Sequence, residues 1–267
     1  MAINDWKSFL MPYEQAVEEL KVKLKSIRKE YRRKNEYSPI EFVTGRVKEV
    51  SSILEKVNKF GIPIDRVAYE LEDIAGIRIM CQFVDDIDTV VQILRGRRDM
   101  QILYEKDYVM NVKPSGYRSY HMIIKYPVNM ASGPVEILAE FQIRTLSMNF
   151  WATIEHSLKY KYEHYIPETL AVRLRRAADA AFLLDQEMSE IREDIMKAQV
   201  MYQVKSVTLR DVLDKIQELY NVGETHKAIK YQRRLDKIDN ERDITEILQL
   251  KKEIDSLLQE YKNKVDD

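Results

Sequence analysis

Glu140, Gln142 and Arg144 occupy every second position of Val135–Thr145, with Val135, Ile137, Ala139, Phe141 and Ile143 between them. A strand of this pattern has one apolar and one polar face, so the three polar groups would stand in a row. A solvated face is the ordinary use of such a row. Asp73 and Arg78 argue for more, because Asp73 stands just before the apolar run Ala75–Val84 and Arg78 lies inside it. Charge in so apolar a setting calls for a partner or a ligand. Two carboxylates from separate elements, Asp73 and Glu140, are the ingredients of a Mg²⁺ site, which takes one or two carboxylates plus substrate phosphates. Arg46 and Lys48 follow Gly45, and Lys56 lies eight residues beyond Lys48. With Arg78, Lys106, Lys113 and Arg144 they form a set of cations suited to a polyphosphate. In the stretch VKPSGYRSYH, residues 112–121, Pro114 and Gly116 shape a loop and Lys113 can hold phosphate. Tyr117 offers a ring on which a base can stack, and His121 can donate to a phosphate or leaving group. Taken together these residues favour a nucleotide site.

The elements that must hold them can be read from periodicity. Leu10, Tyr13, Val17, Leu20, Leu24, Ile27 and Tyr31 recur at steps of three and four, one apolar stripe of a long helix that covers a core or joins a partner. Ser38–Glu41 reads as a capping box opening a short turn. Phe42–Lys48 reads as a strand, and Val50–Phe60 as a helix ended by Gly61 and Pro63. Ala75–Val84 reads as a central strand with both faces covered. Asp85–Arg98 is expected to be helical, and Met100–Val109, Ser119–Val128 and Val135–Thr145 to be strands, the last two joined by a loop containing Gly133 and Pro134. Leu146–Tyr165 reads as a helix stopped near Pro167. Beyond Leu170 the pattern is wholly helical, with a narrow seam from Leu174 through Ala177, Ala181, Leu184, Met188, Ile191, Ile195 and Ala198 to Tyr202. Past residue 205 come further amphipathic helices, broken near Asn221 and Gly223, that present no recognisable chemistry. The expected organisation is residues 1–204 as one domain and 205–267 as a helical extension.

Composition narrows the field. Of 267 residues, 45% are hydrophobic and 33% charged, which fits a soluble globular chain, and Gly and Pro number only 7 each, which favours long helices. The net charge of −1 means that any anion site must be local. A single cysteine, Cys81, excludes an intrachain disulfide and a paired-cysteine zinc site, and suits a reducing cytoplasm. No signal peptide or bilayer-spanning run is evident. There is no GxGxxG, P-loop, HExxH or GxSxG pattern, and none of the four histidines precedes an aspartate.

Four motifs carry a resemblance: Gly45–Lys48, Asp73–Arg78, Lys113–His121 and Glu140–Thr145 are similar in order and spacing to the synthetase motifs of the RelA/SpoT-type alarmone synthetases, over roughly residues 1–200. The small single-domain members are the nearest in kind, sharing the long first helix and a segment like Met148–Leu158. The resemblance implies an α+β, nucleotidyltransferase-like mixed sheet flanked by helices. It implies Mg²⁺-dependent transfer of the β,γ-pyrophosphate of ATP to the 3′-hydroxyl of GDP or GTP, giving (p)ppGpp and AMP, without hydrolase activity. By motif position, Arg46 and Arg78 would sandwich adenine, and Lys48 and Lys56 would hold ATP phosphates. Asp73 and Glu140 would bind metal, with Glu140 also acting as base. Lys106, Lys113, Tyr117, His121, Gln142 and Arg144 would serve the guanine nucleotide. Tyr104–Asp107 keeps only Lys106 and Asp107 of the RxKD signature found in long bifunctional members, which bears on the choice between GDP and GTP. Some members are tetramers whose central cleft binds alarmone; Lys21, Lys25, Arg28, Phe42, Thr44 and Asn149 match that cleft, and an RNA effector is a further partner of this kind. The residues alone leave two alternatives: a catalytically silent nucleotide- or RNA-binding module, and a general nucleotidyltransferase, against which a second base-stacking loop argues.

Overall fold

The computed structural model describes residues 5–161, 167–238 and 244–265, with side chains for 5–158, 167–238 and 244–260. Two compact units divide between Glu190 and Ile191. The division and the expected boundary at 204 both fall inside one helix, α6 (Glu168–Asn221).

The first unit is built on five strands: β1 (Phe42–Val47), β2 (Ala75–Cys81), β3 (Gln101–Asp107), β4 (Tyr120–Met130) and β5 (Gly133–Thr145). Their order in the sheet is β1-β2-β5-β4-β3; β2 and β5 run parallel and every other pair antiparallel. Helices α1 (Trp6–Arg33), α2 (Val50–Phe60), α3 (Val67–Glu70) and α4 (Val84–Arg95) bury their apolar stripes with one face of this sheet. Leu10, Tyr13, Val17, Leu20 and Leu24 of α1 meet Ile77, Ile79, Ala139, Phe141 and Ile143 there, so the N-terminal stripe covers the core of its own chain. A buried Leu or Ile contributes about 1.5–3 kcal/mol of transfer free energy, so this face anchors the sheet and leaves the other to carry polar groups. Where α1 meets β4, the buried Tyr126 has its hydroxyl satisfied: it donates to Glu19 and accepts from Lys23 Nζ, both at 2.7 Å.

Local departures from the sequence expectations have simple causes. Ser38–Glu41 opens no helical turn; the Ser38 hydroxyl donates to the Ile40 carbonyl and accepts from its N–H, closing a bend in extended chain. The β4–β5 connection is a two-residue turn at Ala131 and Ser132, and Gly133 and Pro134 belong to the strand, Gly133 at φ +117° where a side chain would be strained. Helix α4 stops at Arg95 instead of Arg98, because Arg97 folds back onto Asp99 at 2.6 Å. β2 stops at Cys81, and its face away from α1 is mixed, with Gly76 and Arg78 half-buried and Met80 buried on it. Helix α5 (Leu146–Lys161) covers the expected segment up to Lys161, and residues 162–165 lie outside the described residues. In α6 the buried positions within the first unit are Ala178 and Asp185, while Leu184 and Met188 of the expected seam are exposed. Ala178 packs with Trp151 and Ala152 of α5, and Tyr117 lies against this cluster.

The second unit has its own core: Val212, Ile216 and Leu219 of α6, Ala228 and Leu235 of α7 (Thr225–Leu235), and Ile247, Leu250, Ile254 and Leu258 of α8 (Ile244–Val265). Gly223, at φ +87°, provides the turn between α6 and α7.

Candidate active site

On the face of the sheet opposite α1, strand register lines up the polar residues. One row crosses all five strands as Thr44, Arg78, Gln142, His121 and Lys106; the next crosses as Arg46, Gly76, Glu140, Ile123 and Tyr104. Directly opposed residues share a face, so motifs far apart in sequence converge through pairing alone. Glu140 sits on the central strand with cations on either side.

Toward β1 lies the first cluster. Asp73, just ahead of β2, receives Lys48 Nζ at 2.6 Å and Lys56 Nζ at 2.9 Å, both on Oδ2. Burial would raise the Asp73 pKa, but these two hydrogen bonds and charges outweigh it and hold the carboxyl below its ordinary value. Its Oδ1 is buried and bonded to nothing among the described residues. An ionised oxygen left bare in a partly buried place is costly unless a ligand completes it.

Toward β3 lies the second cluster. His121 Nδ1 is 2.7 Å from Glu140 Oε1, and His121 Nε2 is 2.8 Å from the Tyr117 hydroxyl. Gln142 Nε2 donates to Glu140 Oε2 at 2.7 Å. Burial pushes the Glu140 pKa up and the charge of Asp73 adds to that, yet the contacts to His121 and Gln142 prevail and keep it below the ordinary value. An ionised Glu140 can only accept, so His121 Nδ1 donates to it, and in the neutral imidazole Nε2 accepts from Tyr117. Burial raises the Tyr117 pKa, so the phenol keeps its proton.

Around this chain stand rings and guanidinium groups. Lys113 Nζ lies 5.0 Å from the Tyr117 ring centre and 4.2 Å from that of Tyr108, and Tyr108 stands edge-on to His121 at 5.1 Å. Arg144, nearly fully buried, donates to Gln142 Oε1 and lies 5.7 Å from the Tyr117 ring; its Nε is unsatisfied among the described residues. Arg78 Nε reaches the same Gln142 oxygen at 3.4 Å. Burial, and then the charges of Arg144 and Arg46, lower the Arg78 pKa. Three guanidinium groups that repel one another across an open face are a place for an anion or a π-system.

The expected site residues thus fall into groups. Asp73, Lys48 and Lys56 meet directly, as do Glu140, Gln142, His121, Tyr117, Arg144 and Arg78, with Lys113 over the Tyr117 ring. Arg46 shares Glu140's row. Lys106 lies at the far edge with its Nζ 4.7 Å from the Tyr104 ring centre. Lys25, Arg28 and Phe42 line a separate cleft with Lys29, Arg32 and Val43, where Arg28 pairs with Glu41 at 2.9 Å; Lys21, Thr44 and Asn149 are not among its lining residues. Tyr104 and Tyr108 escaped the sequence reading. Tyr104 and Tyr108 could have been found as the residues two before and two after Lys106, which alternation in the expected strand Met100–Val109 places on the same face, although the observed strand stops at Asp107.

A family described as "Region found in RelA / SpoT proteins" matches residues 45–165. GTP pyrophosphokinase YjbM of Bacillus subtilis (strain 168) is 56% identical over 202 residues, which cover 76% of this chain and 95% of that protein. The crystal structure of small alarmone synthetase 1 from B. subtilis bound to its product pppGpp superposes with a TM-score of 0.69 at 57% identity, covering 71% of this chain and 97% of that one. The same synthetase bound to AMPCPP superposes with a TM-score of 0.64 at 53% identity, covering 72% and 98%. The chain belongs to the GTP pyrophosphokinases of the RelA/SpoT family, among the small alarmone synthetases.

Proposed function

We propose that the open sheet face makes (p)ppGpp with ATP on the β1–β2 side, the guanine nucleotide on the β3–β4 side and Glu140 between them. The register that sets Glu140 between the Asp73–Lys48–Lys56 cluster and the Tyr117–His121–Lys113 cluster carries this reading. The B. subtilis synthetase solved with AMPCPP and with pppGpp, an ATP analogue and the product, supports both halves.

In the reaction the acceptor's 3′-hydroxyl oxygen bonds to the β-phosphorus of ATP. The bond from that phosphorus to the α,β-bridging oxygen breaks, AMP leaves, and the hydroxyl proton passes to a Glu140 oxygen. His121 and Gln142 hold Glu140 ionised and aimed, as a base must be. Lys48 and Lys56 exchange Asp73 for the β- and γ-phosphates. Arg46 and Arg78 grip adenine, while Arg144, too buried to reach far, braces Gln142 and Tyr117. Tyr117 stacks on guanine, with Lys113 and Lys106 toward its phosphates. The residues fit Mg²⁺: Asp73 Oδ1 is an unclaimed carboxylate oxygen, and Glu140 supplies a second acid. Among the described residues no cluster of three such ligands exists, so phosphate and water would fill the remaining positions. When bound, the cation would neutralise charge developing on the transferred group.

The proposal extends to assembly and control: a cytoplasmic homotetramer in which the cleft of Lys25, Arg28 and Phe42 takes an anionic effector such as alarmone. The exposed Lys25, Lys29 and Arg32 of that cleft support an anionic effector, and no helix among the described residues is long and apolar enough to cross a membrane. The catalytic assignment is tested by Glu140→Gln. Turnover is expected to fall by at least about 10²–10⁴, the usual worth of a general base, with AMPCPP binding measured by calorimetry unchanged. Near-normal turnover would remove Glu140 from the chemistry.

A further inference from the structure

Helix α7 lies outside residues 45–165, where the family match falls, and it concentrates charge in a chain whose net charge is only −1. Between Thr225 and Lys237 stand five lysines and arginines and one histidine against a single acid, Asp236. They are not scattered. His226, Lys230 and Arg233 follow at steps of four and three, which keeps them on one helical face, and Lys237 stands in the turn just past the last helical residue, Leu235. All four are exposed, and none has a side-chain hydrogen bond or ion pair among the described residues. Their neighbours are committed elsewhere: Arg234 pairs with Glu253 at 2.5 Å and Lys227 with Glu224 at 3.4 Å. The opposite face of α7 is spoken for, since Ala228 and Leu235 are buried in the second unit's core with Tyr231 packed against it. The basic residues border an open concavity lined by His226, Ile229, Lys230, Arg233, Arg234 and Lys237.

We infer that this face of α7 is a second binding site, for the phosphodiester backbone of a nucleic acid strand. The row runs about 10 Å along the helix from His226 to Arg233, at 1.5 Å per residue, and Lys237 carries it past the helix end. It suits a ligand whose charge repeats along a line, as the phosphates of a nucleic acid strand do. A membrane surface would require an amphipathic helix with its apolar side free to enter the bilayer, and in α7 that side is already packed in the core. A protein partner would need an apolar or aromatic anchor at the centre of the patch; Ile229 is the one exposed apolar side chain on it. Contacts of this kind position a backbone and read no bases.

The test is fluorescence anisotropy of the full chain with a labelled single-stranded 20-mer RNA and its DNA counterpart, at several salt concentrations. The comparison is a triple variant, Lys230→Ala, Arg233→Ala and Lys237→Ala, whose fold is checked by circular dichroism. Three phosphate contacts predict a log Kd against log salt slope of magnitude about 2, similar for RNA and DNA. The variant is expected to bind at least about tenfold more weakly with a slope near zero, while its (p)ppGpp synthesis stays unchanged. Equal binding by variant and parent would place any nucleic acid site elsewhere and overturn the inference. So would no binding by the parent, or variant-sensitive binding to phosphatidylglycerol vesicles without binding to either strand. Because turnover is measured on the same preparations, failure of this site is distinguishable from failure of the catalytic assignment.

Discussion

At the scale of residues, the site is a chain of groups each fixing the next: Tyr117 to His121, His121 to Glu140, Gln142 to Glu140, and Arg144 and Arg78 to Gln142. Tyr117→Ala removes a stacking platform worth about 1–3 kcal/mol per base. The KM for the guanine nucleotide should therefore rise about 5- to 150-fold while that for ATP changes little, and initial-rate kinetics with each substrate varied will show it. Equal effects on both would contradict the stacking role. As the proposed base Glu140 is needed ionised, and its folded-state pKa is depressed chiefly through His121 acting against burial. The protein thus keeps its working carboxylate as pH falls, and the acidic limb of kcat/KM lies below the ordinary glutamate range. In His121→Gln that limb should move to higher pH, read from kcat/KM for ATP across acidic pH; an unmoved limb would mean that His121 does not hold Glu140 ionised. Most of these residues were legible in the sequence because alternation put Glu140, Gln142 and Arg144 on one face. That Lys48 and Lys56 both rest on one oxygen of Asp73 was not, because it depends on where α2 sits over the end of β2.

At the scale of elements, the sheet works because its two faces are specialised. Gly45 shows how closely α1 is seated on β1: a Cβ there would come within 2.8 Å of Val17 Cγ1, 2.9 Å of Ile77 Cδ1 and 3.1 Å of Lys21 Cδ. Overpacking of this kind costs about 1–3 kcal/mol, so Gly45→Ala should lower the thermal midpoint by several degrees in calorimetry, and an unchanged midpoint would mean that α1 yields easily. Gly116 is constrained twice, by φ +90° and by Ala178, whose Cβ would lie 2.6 Å from an added one. The loop Lys113–Tyr117, proposed to hold guanine, is therefore shaped by α6 as well as by its own Pro and Gly. The strands and the N-terminal helix were legible because each repeats a period of two or of three and four over many residues. The Ser38 turn misled, because a residue type suited to capping also closes a bend when no helix follows. The long helix over 174–202 was legible, but its seam does not pack as a whole within the first unit, because the apolar period in α6 does not say which side meets the sheet. Near the sheet it is Ala178 and Asp185 that turn inward, the latter accepting from Thr145 at 2.6 Å.

At the scale of the molecule, every residue assigned to catalysis lies in the unit Met1–Glu190, and the second unit has a separate core. A chain ending at residue 205 retains α6 through Asp185 and should keep its turnover within about a factor of 3, under 1 kcal/mol of barrier. Loss of activity would tie the helical unit to the chemistry. The basic face of α7 was invisible to a reading that sought known motifs, because its signal is a spacing of charge that matters only once the other side of the helix is seen buried. The measurement that tests the account most directly is product analysis: the protein is incubated with ATP, GTP and Mg²⁺ beside its Glu140→Gln variant, and the nucleotides are separated by anion exchange. The account predicts pppGpp and AMP in equal amounts from the protein and neither from the variant. Release of free pyrophosphate with an adenylylated product, or equal conversion by the variant, would contradict it.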